Sequence, residues 1–319
     1  MNPIIQFDQV TKRFGKQTAL DNVSFDVPPG VVFALLGENG AGKTTSIQTL
    51  LGLQKQTSGN VQVFGLPSFK NAMQIRKRIG YVPEQPALYE WMTIKQAGWF
   101  MAGFYADGYQ MRYADLVSQF ELPMEKKIKS LSKGMKAKVS LALSLAHTPE
   151  LLILDEPTSG LDTMVRRSFL ESMVDVAANG QTVFLSSHQI PEVERVADIV
   201  AIVNEGKLLV CESLEQLKSR LEQWTIFPAE GVPELPDLSE LDLDILSRRT
   251  VNRQVRLMVS NPVPETLWQL RDNPCVAEIE VHIPSLEEIF VTFIENSGRK
   301  ISNPTTTSTA HRMTEEVDQ

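Results

Sequence analysis

A glycine-rich stretch of eight residues, Gly37-Glu38-Asn39-Gly40-Ala41-Gly42-Lys43-Thr44, constrains the fold more than any other segment of the chain. An apolar run over 31–36 precedes it and predicts a buried strand, and residues 45–51 can begin a helix. Strand, glycine-rich loop, Lys-Thr and helix in this order are typical of a phosphate-binding P-loop. The glycines let successive backbone N–H groups turn toward a phosphate chain, and the helix start adds unpaired N–H groups. We therefore expect Lys43 to reach the terminal phosphates of a nucleotide and Thr44 to coordinate Mg²⁺.

The bulk composition limits the possible classes of protein. A length of 319 residues with 42% hydrophobic residues predicts one large domain or two, with a substantial core. The net charge of −8 is unlike the basic surface of a nucleic-acid-binding protein. Cys211 and Cys275 lie far apart and predict neither a metal site nor a disulfide framework, which favours a reducing compartment. The N-terminus does not resemble a signal peptide, and the longest notable apolar run, over 97–106, is shorter than the about 20 residues of a membrane span. We expect a soluble or peripheral chain.

The order of apolar and polar segments predicts an α/β fold over the first 220 residues. Residues 90 to about 146 are expected to be mostly helical. The runs that predict strands are 4–10, 19–27, 31–36, 61–65, 79–83, 151–154, 182–186, 199–203 and 208–210.

The composition changes after about residue 220, and we expect a small α+β appendage over 220–296. Residues 229–245 carry six acidic side chains and no basic ones, and predict a loop-rich surface segment. Strands are expected over 254–259 and 276–283, with a helix at 264–271. Ser285 and Glu288 have the spacing of a capping box and predict a further helix start. The polar, threonine-rich residues 297–319 are expected to be disordered.

Two further segments have the composition of a nucleotide site. Asp155 and Glu156 follow the buried run at 151–154, at the carboxyl end of a predicted strand, where α/β sheets bind ligands. Asp155 would hold Mg²⁺ directly or through water, and Glu156 would act as general base on the attacking water. The alternative is an ordinary strand end that meets an acidic turn. Ser132 and Gly134 precede a helical run over 136–146 and could offer a hydroxyl and N–H groups to an anion, although an ordinary serine N-cap fits the same pattern.

The order of these motifs resembles that of the ATP-binding subunits of ABC transporters over roughly residues 4–220. GENGAGKT is similar to their Walker A motif, LSKGM to their signature motif, usually LSGGQ, and LLILDEP to Walker B with the adjacent catalytic glutamate. Residues 159–162 resemble the D-loop, His188 has the position of the switch histidine, and Phe14 that of the adenine-stacking aromatic. More weakly, residues 284–290 resemble the C-terminal end of subunits that serve ABC-2-type exporters.

The resemblance implies a P-loop NTPase ABC ATPase core with an antiparallel β subdomain and a helical subdomain at about 88–146. It implies a nucleotide-binding domain over 1–219 and an accessory domain over 220–296. The implied cofactors are ATP and Mg²⁺, with catalysis by Glu156, His188 and Lys43, and metal binding by Thr44, Asp155 and Glu84. The implied nucleotide contacts are Phe14, Gly37, Glu38, Asn39, Gly40, Ala41, Gly42, Lys43, Thr44, Thr45, Glu84, Ser132, Gly134 and Asp162. Since two such subunits pack head to tail, Ser132 and Gly134 would contact the γ-phosphate bound by the partner subunit's Lys43.

Three positions depart from the family pattern. Glu84 stands after Pro83 where the family has its Q-loop glutamine, with Gln85 next, and which of the two faces the metal stays open. The signature motif has Lys133 and Met135 where glycine and glutamine are usual. The adenine-facing aromatic Phe14 is a tyrosine in most of the family, a change that affects stacking little.

Eight aromatic residues lie within 25 residues between 89 and 113. Most are expected in the core of the helical subdomain. In the resembled family this region receives the coupling helix of the membrane subunit, and aromatic residues suit such an interface. We therefore expect Tyr89 and Trp91 to be exposed at a docking groove. His147, His282 and His311 have no comparable context and are expected on the surface or in loops.

The predicted function is that of an ATP-hydrolysing subunit on the cytoplasmic face of the cell membrane, which powers export through a separate ABC-2-type permease. The expected partners are a second nucleotide-binding subunit, either a second copy or a paralogue, and integral membrane permease subunits, with no nucleic acid. A soluble ABC ATPase that acts on nucleic acid or ribosomes is disfavoured by the single cassette and the net charge of −8. A regulatory module with negligible hydrolysis is disfavoured by the intact Asp155, Glu156 and His188. The transported substrate and the role of the appendage are not specified by the sequence.

Overall fold

The computed structural model describes residues 2–232, 238, 241 and 243–297. Within these ranges the chain forms three β-sheets and ten α-helices. The segment expected to be disordered, apart from Ser297, and part of the acidic segment at 229–245 lie outside the described residues.

A six-stranded sheet forms the centre of the molecule, with the strand order β10-β9-β3-β8-β7-β6. The five strands from β9 to β6 are parallel, and β10 pairs with β9 antiparallel. Every residue of β3, β7 and β8 is buried, since both faces of the sheet are covered. The strands of this sheet are β3 (Val32–Leu36), β6 (Ile79–Val82), β7 (Leu151–Asp155), β8 (Thr182–Ser187), β9 (Ile199–Asn204) and β10 (Lys207–Ser213).

Alternate residues of β3 point into two different apolar cores. Phe33 and Leu35 belong to a core shared with helix α1 (Lys43–Leu50) and with the antiparallel sheet. That sheet has the order β2-β1-β4-β5, and Phe7, Phe25 and Phe33 form a continuous stack between the two sheets with centroid distances of 4.5 and 5.3 Å. Its strands are β1 (Ile5–Phe14), β2 (Gln17–Val27), β4 (Ser58–Val63) and β5 (Leu66–Pro67).

Helices cover the other face of the central sheet. Ala34 and Leu36 of β3 belong to the core on this side, which contains residues of the helical subdomain. The Tyr113 hydroxyl donates to the Ile94 carbonyl at 3.0 Å, so the buried aromatics of this subdomain are tied to its backbone, as expected for core residues. The helices that follow α1 are α2 (Ala72–Arg76), α3 (Ile94–Ala102), α4 (Tyr109–Gln119), α5 (Lys133–Leu145), α6 (Thr163–Ala178), α7 (Ile190–Val193) and α8 (Leu214–Ser219).

The C-terminal part forms an antiparallel sheet of order β12-β13-β11-β14, which we call the accessory sheet. Its strands are β11 (Leu221–Pro228), β12 (Asp244–Val251), β13 (Gln254–Ser260) and β14 (Val276–His282), and its helices are α9 (Pro264–Arg271) and α10 (Leu286–Asn296). The expected elements at 254–259, 264–271 and 276–283 are present, and α10 begins at the predicted capping box of Ser285 and Glu288. The expectation of loop up to residue 245 was wrong at its end, because Asp244 and Ile245 pair with β13.

Helix α10 packs on the apolar core between the central sheet and its covering helices. Leu286, Ile289 and Phe293 belong to the same apolar core as Val193 of α7 and Ile202 of β9. Within the described residues, no helix has both the length and the apolar character that crossing a bilayer requires.

Candidate nucleotide-binding and hydrolysis site

The carboxyl ends of three neighbouring strands, β3, β8 and β7, carry the residues of the site. The parallel pairing places Leu36 beside Ser187, and Asp155 beside Ser186. The glycine-rich loop after β3, His188 after β8 and Glu156 after β7 therefore lie at one edge of the sheet, where α/β folds bind ligands.

Gly42 shapes the start of α1. It has φ 112°, in the left-handed region, and a Cβ placed there would lie 2.7 Å from the Ala19 carbonyl oxygen. Only glycine fits this conformation without a clash. No side chain caps the N-terminus of α1, so its first N–H groups can bind an anion, and the helix dipole favours negative charge there.

The Lys43 ammonium is buried among oxygen atoms. Its Nζ donates to the carbonyls of Gly37 at 2.7 Å and Glu38 at 3.2 Å, and lies 3.0 Å from Glu156 Oε1. Both members of the Lys43–Glu156 pair are less than 10% exposed, which strengthens their attraction relative to a surface pair.

Glu156 is held between Lys43 and His188. Its Oε2 accepts from His188 Nδ1 at 2.7 Å, since a carboxylate only accepts, and Nε2 on the other side of the ring is not engaged by Glu156. The backbone of Glu156 has φ 47°, which is rare for a residue with a side chain. Its N–H donates to the Ser186 carbonyl at 3.1 Å, which helps to hold this conformation and keeps the carboxylate at the sheet edge.

Asp155 lies behind Thr44. Its Oδ1 accepts from the Ser186 hydroxyl at 2.6 Å, and the Thr44 hydroxyl is a second hydrogen-bond partner of the carboxyl. Burial raises the pKa of Asp155 above its ordinary value, although these two hydrogen bonds oppose the shift.

The oxygen donors of this corner fit a magnesium ion. A carboxylate and a hydroxyl are hard ligands of the kind that Mg²⁺ prefers, and Mg²⁺ keeps several waters and phosphate oxygens besides one or two protein ligands. The described residues contain no group of three or more acidic, histidine or cysteine side chains that could hold a metal by themselves. A site completed by nucleotide phosphates is consistent with both observations.

A cavity of about 530 Å³ opens at this edge of the sheet. Most of the predicted site residues line it, together with Gln17 and Ala19, which were not predicted, and Ser159, which was named only as part of the D-loop. Gln17 and Ala19 follow Phe14 across the β1–β2 turn, and their closeness to that aromatic was the signal available in the sequence. The predicted residues that line the cavity are Phe14, Glu38, Asn39, Gly40, Gly42, Lys43, Thr44, Thr45, Glu84, Glu156 and His188.

Three of the predicted residues are buried and do not line the cavity, namely Gly37, Ala41 and Asp155. Gly37 packs against Val203, where a Cβ would lie 2.5 Å from the carbonyl oxygen, and Ala41 is buried in the same core. Asp155 is hydrogen-bonded to Thr44, which does line the cavity. Glu84 is exposed and lines the cavity, whereas Gln85 does not.

Ser132, Gly134 and Asp162 do not line the cavity; they meet at the start of α5 and α6. The Ser132 hydroxyl accepts from the Met135 N–H at 3.2 Å, and the Asp162 carboxylate accepts from the Val165 N–H at 3.0 Å. A Cβ on Gly134 would lie 2.8 Å from a methyl group of Val165, so the glycine allows the two helix starts to approach closely. Ser132 and Asp162 thus lie at neighbouring helix starts, with Gly134 buried against Val165 between them, whereas Ser159 of the D-loop lines the cavity.

A second cavity of about 500 Å³, largely apolar, lies between the central sheet and the helical subdomain, and we call it the apolar groove. Tyr89 lines it and is 54% exposed. Trp91 is 66% exposed and lies beside Tyr89, with ring centroids 6.2 Å apart. His147, expected on the surface or in a loop, also lines the groove, and its ring is half-buried against Tyr105 at a centroid distance of 4.3 Å.

The fold and the cavity together define an ATP-binding cassette of the P-loop class. The family model described as "ABC transporter" matches residues 20–159. The chain is 36% identical over 248 residues to the bacitracin transport ATP-binding protein BcrA of Bacillus licheniformis, which covers 77% of this chain and 81% of the relative. It is 35% identical over 228 residues to the linearmycin resistance ATP-binding protein LnrL of Bacillus subtilis strain 168, which covers 70% and 73%.

A solved structure titled as an ATP-binding subunit of an ABC transporter superposes with a TM-score of 0.62 and 30% identity, over 68% of this chain and 92% of that one. The chain therefore belongs to the ATP-binding subunits of ABC transporters of the exporter type, and it is an ATPase. The predicted family, fold class and enzymatic function are confirmed.

Proposed function

We propose that this chain binds Mg-ATP in the cavity at the edge of the central sheet and hydrolyses it to drive export through an ABC-2-type permease. The observation that carries this assignment is the convergence of Lys43, Thr44, Glu156 and His188 on one cavity of about 530 Å³. The cavity also borders Phe14, a residue that is 44% exposed and whose ring can stack on adenine.

Hydrolysis depends on positioning and on neutralising charge. The phosphate chain lies on the N–H groups of the glycine-rich loop and competes with Glu156 for Lys43. Glu156 is then free to accept a proton from the attacking water, while His188 Nδ1 continues to orient its carboxylate. The Nε2 atom of His188 faces the γ-phosphate and the water.

Thr44, Asp155 and Glu84 are proposed to hold Mg²⁺, with the oxygen donors described above as support. When bound, Mg²⁺ neutralises charge that develops on the phosphate oxygens. The position of Glu84 at the cavity, with Gln85 outside it, favours Glu84 as the residue with the Q-loop role.

Two copies of the chain are proposed to pack head to tail around two ATP molecules. Ser132, Gly134 and Asp162 form a surface apart from the cavity of their own chain. In a head-to-tail pair this surface would cover the γ-phosphate held by the other copy, and Ser132 would offer its hydroxyl and N–H group to it.

The apolar groove is proposed to receive a coupling helix of the permease, with Tyr89 and Trp91 at its exposed rim. We assign residues 1–219 to the nucleotide-binding domain and 220–296 to an accessory domain. The chain would then lie at the cytoplasmic face of the membrane, held there by the permease. The relatives are named for bacitracin transport and linearmycin resistance, and export is the part of their role that we extend to this chain.

The substitution Glu156→Gln tests the assignment. It should preserve ATP binding and reduce the hydrolysis rate about 10²- to 10⁴-fold, since the amide cannot accept the proton. ATP binding is measured by equilibrium dialysis and turnover by phosphate release. Glu150→Gln, at the opposite end of β7, where Glu150 pairs with Arg78, is the matched control and should keep the wild-type rate. Unchanged hydrolysis in Glu156→Gln would remove Glu156 as the base.

A further inference from the structure

A cavity of about 200 Å³ lies between helix α10 and one face of the accessory sheet, far along the chain from the ATP-site motifs. At roughly 30 Å³ for each water in the liquid, its volume equals about six or seven water molecules. The pairing registers Met258–Ser247, Arg256–Arg249 and Gln223–Met258 place these side chains on the same face. Helix α10 closes the cavity with Glu287, Glu288, Val291 and Thr292.

The two faces of the accessory sheet differ in chemistry. The face toward α9 carries Trp224, Ile226 and Leu257, which form an apolar core with Leu270. The face toward α10 carries Gln223, Ser247, Arg249 and Arg256. Gln223 is buried and Ser247 is partly buried, whereas Arg249 and Arg256 are exposed at the mouth of the cavity. A buried polar group costs free energy unless it is paired, so a purely structural role does not explain Gln223.

Two arginines lie directly opposite each other at this cavity. Arg249 of β12 is the register partner of Arg256 of β13, and like charges across an antiparallel ladder are unfavourable. Arg249 forms an ion pair with Glu295. Arg256 has no ion pair or side-chain hydrogen bond with any described residue. An anionic group in the cavity would relieve the repulsion and pair with Arg256.

Gln223 requires a hydrogen-bond donor, whereas Arg256 requires an anion. Its side chain is 8% exposed, and its Oε1 atom has no hydrogen-bond partner among the described residues. A buried amide oxygen without a donor is uncommon and indicates a missing partner. Glu287 and Glu288 add negative charge on the α10 side, which disfavours a dianion and favours a positively charged donor.

We propose that this cavity binds a small zwitterion, namely a free α-amino acid with an apolar side chain. Its carboxylate pairs with Arg256, beside Arg249. Its ammonium group donates to Gln223 Oε1 on the side of Glu287. The apolar side chain lies between Met258 of the sheet and Val291 of α10, which complete the wall on that side of Arg256.

The test is isothermal titration calorimetry of the full chain, without nucleotide, with L-leucine, L-valine and L-methionine as probes. We expect saturable binding of at least one probe at one site per chain. Arg256→Gln and Gln223→Met should each weaken it at least tenfold. Arg248→Gln changes an exposed arginine that lies next to Arg249 on β12 but does not line the cavity, and it should bind like the wild type. Circular dichroism melting verifies that each variant is folded.

Two ligand controls examine the charges separately. 4-Methylpentanoate lacks the ammonium group of leucine and L-leucinamide lacks its carboxylate, so both should bind at least tenfold more weakly than L-leucine. Lys43→Ala should leave the binding intact, since the proposed site is not the ATP cavity. Failure of all three amino acids to bind would overturn the proposal, as would equal affinity in Arg256→Gln or equal binding of 4-methylpentanoate.

Discussion

At the scale of single residues, the site depends on side chains that satisfy each other across strands distant in sequence. Glu156 contacts Lys43 from the β3–α1 loop and His188 from the end of β8, and its own backbone is held in a left-handed conformation. A conformation of this kind costs of order 1–3 kcal/mol and persists only where the surrounding structure enforces it. The hydrogen bond from the Glu156 N–H to the Ser186 carbonyl helps to hold the Glu156 backbone in this conformation.

His147 provides a pH-dependent contribution to stability at this scale. Burial lowers its pKa, Arg112 lowers it further, and the hydrogen bond with the Ile79 carbonyl opposes the shift. A histidine with a lowered pKa in the folded state contributes stability that is complete above its ordinary pKa of about 6.5 and is lost as the pH falls below it.

We expect the substitution His147→Phe to reduce the loss of unfolding free energy between pH 7.5 and pH 5.5, because the phenyl ring can still stack on Tyr105 but does not titrate. Urea unfolding at the two pH values, on both proteins, measures this loss. Equal losses in the wild type and the variant would show that His147 does not cause the effect.

At the scale of elements, helix α10 links the accessory sheet to the ATPase core. Its apolar face packs with α7 and β9, and its start is fixed by reciprocal hydrogen bonds between Ser285 and Glu288. Burial alone would raise the pKa of Glu288, but the hydrogen bonds from the Ser285 N–H and hydroxyl outweigh it and lower the pKa. A carboxylate of this kind contributes stability above its ordinary pKa of about 4.3, and this is lost as the pH falls.

The substitution Ser285→Ala should lower the free energy of unfolding by about 1 kcal/mol at pH 7, because the helix loses its N-cap. The difference from the wild type should narrow as the pH falls below about 4.5, because Glu288 becomes protonated first in the unfolded state and, at lower pH, in the folded protein. Urea titrations at pH 7 and at acidic pH measure both effects, with Ser118→Ala on the exposed side of α4 as the control. A difference that does not change with pH would argue against the contribution of Glu288.

The apolar groove supports a prediction about coupling between elements. Tyr89→Ala and Trp91→Ala should leave ATP binding by the isolated chain unchanged, and should weaken the stimulation of its ATPase by the permease about tenfold or more, since exposed aromatics often dominate an interface. Trp99→Ala removes an equally exposed indole that, unlike Trp91, is not paired with the groove-lining Tyr89, and it should retain stimulation. Loss of nucleotide binding in Trp91→Ala would contradict the docking role.

At the scale of the whole molecule, the fold separates the residues that line the cavity from Ser132, Gly134 and Asp162. The cavity residues lie at the ends of β3, β7 and β8, whereas Ser132, Gly134 and Asp162 lie together at the starts of α5 and α6. In the proposed head-to-tail pair, the second copy would complete the enclosure of ATP.

Gel filtration of the Glu156→Gln protein, with and without Mg-ATP at matched concentration, tests this arrangement. We expect a shift to twice the mass with ATP, because hydrolysis no longer reopens the dimer. The double variant Glu156→Gln, Ser132→Arg should still bind ATP but stay a monomer, since the bulky side chain blocks the contact with the other copy. Bound ATP without any shift would argue against a homodimer in solution, and would indicate a different partner or a dimer formed only on the membrane subunits.

Much of the fold followed from local sequence patterns. The β3–P-loop–α1 unit, the helix at 264–271 and the capping box at Ser285 depend on neighbouring residues alone, and all are present. Strands β11 and β12 were not predicted, because their faces toward α10 carry polar residues such as Gln223, Ser247 and Arg249. Strand β11 is stabilised by pairing with β13 and β14, and strand β12 by pairing with β13. Such pairing between distant segments cannot be predicted from a local sequence pattern.

The sequence by itself determined the class of site, since a phosphate loop and a carboxylate pair at a strand end are short motifs whose chemistry depends on adjacent residues. Only the tertiary structure decided that Glu84 and not Gln85 borders the cavity, that Glu156 bridges Lys43 and His188, and that the signature residues Ser132 and Gly134 do not line the cavity of their own chain. The residues that these contacts bring together are separated by about 30 positions (Glu156 and His188) to more than 140 positions (Lys43 and His188) in the chain. Chain folding through the parallel order β3-β8-β7, and not any local preference, brings them together.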